Sequence, residues 1–148
     1  FVFTDPDAQI VMPTVAEDVA FSLRRRGVPK AEIDRRVHDV LARYGLEEHA
    51  DQPAHQLSGG EKQLLALCSV LVLEPAVLVM DEPTTLLDLR HSRRIAALLR
   101  ELPQQVIVAT HDLPLLAGFD RVLVLDRGKI VADADPETAI AHYRALLS

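Results

Sequence analysis

No tryptophan occurs in the 148 residues, and aromatic side chains make up only 4% of them. A platform for single-stranded nucleic acid needs exposed rings on which bases stack, so that class of function is excluded. Positive charge is also in deficit: 16 Lys and Arg against 22 Asp and Glu leave a net charge of −6. Such a chain has no global cationic field with which to neutralise phosphates. The single cysteine, Cys68, excludes an internal disulfide framework and a cysteine-based zinc site, and suits a reducing compartment. No apolar run reaches the roughly 20 residues of a membrane-spanning helix. What is plentiful is aliphatic: hydrophobic residues form 49% of the chain, enough for a packed core and too many for disorder throughout.

Phe1-Val2-Phe3 reads as the end of a strand, with turn chemistry following at Asp5-Pro6-Asp7. Thr14 and Glu17 make a capping box that predicts a helix from Val15 to about Arg26, with an apolar face of Val15, Val19 and Leu23. Gly27 ends it, and Pro29 opens a second helix that stops at Gly45. Ser58 and Glu61 form another capping box before the apolar helix Leu64 to Val72. Ala76 to Met80 and Val106 to Ala109 are continuous apolar runs, predicted to be strands buried on both faces. A helix from about Asp88 to Leu102 separates them. A hairpin around Asp126-Arg127-Gly128 and a final helix to Leu147 complete the order. Buried strands that end abruptly in polar residues imply an α/β fold: a parallel sheet with flanking helices and a ligand at the strands' carboxyl ends.

Three segments carry chemistry. Leu57-Ser58-Gly59-Gly60-Glu61 is a helix N-terminus with two glycines and a hydroxyl. Free N–H groups and the helix dipole suit a phosphate there, although a plain capping box accounts for the residues equally well. Asp81-Glu82 places two carboxylates at a strand end, where each is costly unless it meets a cation or a proton donor. Successive strand residues point opposite ways, so Asp81 is available to Mg²⁺ and Glu82 to an attacking water. His111 ends the next strand; a lone histidine in such a place is more often structural than catalytic. The other histidines show no helical i, i+4 ligand pairing and read as surface or packing residues.

In order and spacing, Leu57 to Glu61, then Val77 to Thr84, then Leu87-Asp88, then Thr110-His111-Asp112 resemble the ATP-binding cassette (ABC) ATPase family over nearly the whole chain. They match its signature motif, its Walker B strand with catalytic Glu, its D-loop and its switch His. The resemblance implies a P-loop NTPase-like core, with residues 1–4 and 75–148 forming part of it and residues 14–74 a helical subdomain. It implies ATP and Mg²⁺ as ligands. It also implies a dimer in which Leu57, Ser58, Gly59, Gly60 and Glu61 of one subunit close on ATP held by the other. By the same resemblance Asp81 and Thr4 serve Mg²⁺, Glu82 polarises water, His111 completes the site and Asp88 acts across the dimer.

A finer resemblance lies in Asp5-Pro6-Asp7-Ala8-Gln9 and Pro13 to Phe21, similar to the ATPases of energy-coupling-factor importers. It implies a transmembrane coupling subunit and a substrate-binding membrane subunit as partners, no nucleic acid, and a peripheral place on the cytoplasmic face of the membrane. Biotin is the preferred solute, with cobalt or nickel next. Thr4 stands where the family usually has Gln, Leu86 where it has a small residue, and Leu64 where it often has Arg. Two other classes fit the motifs: a non-transport ABC ATPase of DNA repair or translation, and a non-catalytic module that lends its signature to a partner.

One expected element is missing. A P-loop needs G-x-x-x-x-G-K-[ST]. The only Gly-Lys is Gly128-Lys129, followed by Ile130 and set in a predicted hairpin. The 148 residues alone are therefore expected to be inactive. Phe1-Val2-Phe3 reads as a strand cut from its sheet, and the chain as a partial ATPase core. An apolar edge at Phe1, Val2, Phe3 and Val77 to Val79 is expected to be exposed.

Overall fold

The computed structural model describes residues 1–148. Both capping boxes form. The Thr14 hydroxyl accepts the Glu17 N–H while Glu17 Oε2 accepts the Thr14 N–H, and helix α1 runs Val15–Arg25. Gly27, in the left-handed region, turns the chain into α2, Lys30–Tyr44, and Gly45 at φ +73° ends that helix. Ser58 caps α3, Gly59–Leu71. The faces Val15, Val19 and Leu23 of α1, Ile33, Val37 and Leu41 of α2, and Leu64, Leu65 and Leu67 of α3 close on one another in a single apolar core. That core continues without a break into Val2, Leu78, Met80 and Ile95.

Asp18 is buried on the first turn of α1 and has no cation beside it. It accepts hydrogen bonds from the N–H groups of Val11 and Met12 and from the Ser69 hydroxyl, which satisfy a carboxylate that would otherwise be costly to bury. The loop after Phe3 is thereby fixed to α3. Gln9 and Lys62 add two more ties, Gln9 Nε2 to the Ala66 carbonyl and Lys62 Nζ to Asp7 at 2.7 Å.

Strands β1, Val77–Asp81, and β2, Gln105–Ala109, pair in parallel, with Leu78 beside Val106 and Asp81 beside Ala109. Helix α4, Leu89–Glu101, makes the crossover. Val2 joins the other side of β1: its N–H donates to the Val79 carbonyl and its carbonyl accepts from Asp81 N–H. After the short helix α5, Leu113–Leu116, the antiparallel hairpin β3, Val122–Asp126, and β4, Lys129–Ala134, follows. Arg127 and Gly128 both take positive φ at its turn, the conformation that a two-residue hairpin requires. Helix α6, Pro136–Leu146, starts at the Asp135 cap and buries Ala139 against the hairpin.

Two expectations are corrected. The central strands are not buried on both faces: Leu78 and Met80 are fully buried, whereas Val77 is 43% and Ile107 50% exposed. The helices cover one face of β1 and β2, and the two-residue period of a strand turns every second side chain to the other. The expected raw edge is likewise only half present. Phe1, Phe3 and Val77 are exposed, but Val2 and Leu78 lie in the core. The free edges of β2 and β3 flank a mostly apolar cavity of about 680 Å³, lined by Val106, Val108, Leu123 and Leu125.

Candidate functional site

The carboxyl end of β1 carries one of the chain's three non-glycine residues at positive φ. Glu82 has φ +48°, a conformation that costs a non-glycine residue about 1–3 kcal/mol. Its N–H still pairs with the Ala109 carbonyl, so the turn remains tied to β2. The turn aims the Glu82 carboxylate at the end of β2. Oε1 accepts from the His111 N–H at 3.0 Å and lies 2.7 Å from His111 Nδ1; Oε2 accepts from the hydroxyls of Thr85 and Thr110. Beneath it, the buried Thr84 hydroxyl donates to Asp112 at 2.7 Å. Burial would push the Glu82 carboxyl up, but the bonds from His111, Thr85 and Thr110 outweigh it and hold the group below the usual 4.5. Glu82 is thus a carboxylate at neutral pH.

This depressed value has a testable sign. Because the folded group titrates below the unfolded one, its stabilising bonds are fully present above pH 4.5 and are lost as pH falls through the folded value. A carbon-detected titration of the Glu82 carboxyl is expected to show a midpoint below 4.5, with the His111 ring signals moving at the same midpoint. A midpoint at or above 4.5 would show that the bonds are absent in solution.

Asp81, the neighbouring carboxylate, is exposed, and its side chain makes no hydrogen bond or ion pair. Thr4, two residues past the Val2 bridge, also has an uncommitted hydroxyl. Hard oxygen donors of this kind fit Mg²⁺, which takes one or two protein oxygens and completes its shell with phosphates and water. No cluster of three or more acidic, His or Cys side chains forms a closed metal cage.

The second group of residues sits at the N-terminus of α3. Leu57 is buried in the core and anchors the segment, whereas Ser58 and Gly59 are exposed. The Ser58 hydroxyl and N–H both bond Glu61 Oε2 at 2.8 Å. These bonds, with His49 and His91 nearby, hold the Glu61 carboxyl below its usual range. Gly59 and Gly60 donate no N–H to any protein acceptor, so the helix offers free donors at its positive end. Asp88 caps α4, and its Oδ1 accepts the His91 N–H and meets His91 Nδ1, each at 2.9 Å.

The structure therefore brings Glu82 and His111 into direct contact, with Asp81 adjacent in β1. No hydrogen bond or ion pair links them to Ser58 through Glu61, at the N-terminus of a separate helix. Sequence reasoning missed Thr84, Thr85 and Thr110, the donors around Glu82 and Asp112. It also set aside His49 and His91, which meet Glu61 and Asp88. Only Thr84 and Thr110 had a signal, since both stand inside the quoted motifs.

Residues 15–117 match the family model described as "AAA domain, putative AbiEii toxin, Type IV TA system". A solved structure titled "Structure of cbiO1 from clostridium perfringens: Part of the ABC transporter complex cbiONQ" superposes on 97% of this chain with a TM-score of 0.86 and 38% identity. The "Putative ABC transporter ATP-binding protein" of Deinococcus radiodurans is 56% identical over 144 residues. The chain belongs to the ABC transporter ATP-binding family. Another relative, the "Biotin transport ATP-binding protein BioM" of Rhizobium etli, is 51% identical over 146 residues. These matches cover 97% and 99% of the chain but only 64% and 65% of the two relatives, and 59% of the solved chain. The chain thus spans just under two thirds of the length of the curated relatives it matches. Within this ABC family chain, no helix is long and apolar enough to cross a membrane.

Proposed function

We propose that this chain is part of the ATP-binding and ATP-hydrolysing subunit that drives an energy-coupling-factor importer, with biotin or cobalt and nickel as the transported solute. The observation that carries the reading is the pairing of Glu82 with His111 at the carboxyl end of β1, with no hydrogen bond joining it to the α3 N-terminus, where the N–H groups of Gly59 and Gly60 are unbonded. One group has the means to orient water, the other to bind phosphate, and no hydrogen bond or ion pair within the chain joins them. A second ATPase subunit supplies the match: Ser58, Gly59 and Gly60 of each close on the ATP of the other, beside Asp88. Glu82 orients the water and His111 holds Glu82 and bonds phosphate oxygen. Asp81 and Thr4 hold Mg²⁺, which supplies charge neutralisation at the phosphates.

The 148 residues contain no phosphate cradle, so we place the P-loop elsewhere in the whole protein, and the chain alone is inactive by this reading. We assign residues 14–74 to a helical subdomain and residues 1–4 and 75–148 to the nucleotide-binding core. The unpaired edges of β2 and β3 suit further strands of that core. The biotin assignment follows the relative named for biotin transport and the resemblance of residues 5–21 to energy-coupling-factor ATPases. The subunit acts as a peripheral protein on the cytoplasmic face of the membrane, bound to a transmembrane coupling subunit and through it to a substrate-binding membrane subunit.

Affinity purification of the whole protein from its source membranes tests this. The expected co-purifying species is an integral membrane protein, without nucleic acid. Recovery of nucleic acid and no membrane protein would favour an ATPase of DNA repair or translation and overturn the importer reading.

A further inference from the structure

The two glycines of the α3 N-terminus have different physical reasons. A Cβ added to Gly59 meets nothing within 4 Å, so that residue faces open space and leaves room for a ligand. A Cβ added to Gly60 would fall inside the His91 imidazole, against Cδ2, Cγ and Nε2. Gly60 is buried and has an ordinary helical φ, so its backbone does not demand glycine; the His91 ring does. The same ring is held from its other side by Asp88, whose Oδ1 takes both the His91 N–H and Nδ1. Asp88 remains exposed, between the exposed apolar side chains of Leu86 and Leu89. One imidazole therefore spans from the loop before α4 to the phosphate-facing end of α3.

We infer that His91 is a positioning residue that welds Asp88 to Gly60, so that the two elements this chain presents to a partner's nucleotide move as one body. The inference rests on the proposed dimeric reading and adds a means of transmission to it. Without the weld, α3 and the Asp88 loop dock on the partner separately, and each loses its own freedom on closure. With it, seating one seats the other, and the ordering cost falls once. Removal of either contact of the ring is enough to separate the two elements.

The test is a double-mutant cycle on ATP-driven dimerisation of the whole protein, measured by sedimentation with a slowly hydrolysed ATP analogue. Ser58→Ala and Asp88→Asn are the two probes; Asn preserves the helix cap. With His91 present, their effects on the dissociation constant are expected to be non-additive by about tenfold. In a His91→Ala background they are expected to become additive. Additivity with His91 present, or non-additivity undiminished by His91→Ala, would overturn the inference. If instead neither probe changes dimerisation at all, it is the dimeric reading that fails. A second measurement checks the contact itself in the folded protein. Gly60→Ala is expected to lower Tm by several degrees, and adding His91→Ala to recover most of that loss. A double variant that melts no higher than Gly60→Ala would show that the ring does not occupy the space above Gly60, which also overturns the inference.

Discussion

Glu82→Gln is expected to lower steady-state ATP turnover of the whole protein by about a hundredfold or more, the scale on which removal of a positioned general base acts. The fold should be nearly unaffected, because the amide fills the same space and its carbonyl oxygen still accepts from the His111 N–H. What goes is the negative charge. Oε2 now accepts from Thr85 and Thr110 and Oε1 from His111, so a carboxylate with its oxygens fully committed is held at the end of β1. A neutral amide neither attracts a water proton nor offers the His111 ring a charged acceptor. ATP binding and closure do not need that charge, so ATP-bound dimers are expected to accumulate while product formation stops. Single-turnover kinetics alongside sedimentation separates the two effects. Turnover at the wild-type rate would contradict the assignment of Glu82.

Ser58→Arg is expected to act with similar force by a different route. Ser58 is exposed at the α3 N-terminus, so the arginine reaches solvent without disturbing the core. Loss of the cap costs about 1 kcal/mol, a small part of the stability of a domain. In the closed dimer the same side chain occupies the place of the partner's phosphate and keeps the unbonded Gly59 and Gly60 N–H groups away from it. Loss of such preorganised donors lowers turnover by about a hundred- to a thousandfold. Nucleotide affinity in the partner's own cradle should be unchanged. Normal hydrolysis in this variant would remove the α3 N-terminus from the site.

Much of this architecture was legible because its signals are local. Thr14 with Glu17 and Ser58 with Glu61 are three residues apart, and each marked a helix start: α1 begins at Val15 and α3 at Gly59. Gly27 and Gly45 ended helices where positive φ was needed. The polar residues after β1 and β2 located the site end of the sheet, and Glu82 and His111 do meet there. What sequence could not reveal depends on contacts distant in the chain. The apolar runs of β1 and β2 predicted burial on both faces, but one-sided helix packing left Val77 and Ile107 open. His91 read only as a surface or packing residue, because nothing in the helical pattern of α4 shows that Gly60, 31 positions earlier, lies under its ring. Nor does the sequence show that Asp18, on the first turn of α1, is a buried clamp on Val11, Met12 and Ser69.

The central claim is that the α3 end of this chain serves a nucleotide held by a second subunit and oriented for attack by that subunit's Glu82. Two differently tagged copies of the whole protein test it by the placement of the same two substitutions. In pairs where one copy carries Glu82→Gln and the other Ser58→Arg, both defects fall on a single site, and the other site is intact. In pairs where one copy carries both and the other neither, each site has one defect. The account predicts ATP turnover in the first pairing, at about half the wild-type rate if the sites act independently, and almost none in the second. The reverse result, turnover only when both substitutions share one copy, would show that Ser58 and Glu82 act within the same chain and would contradict the account.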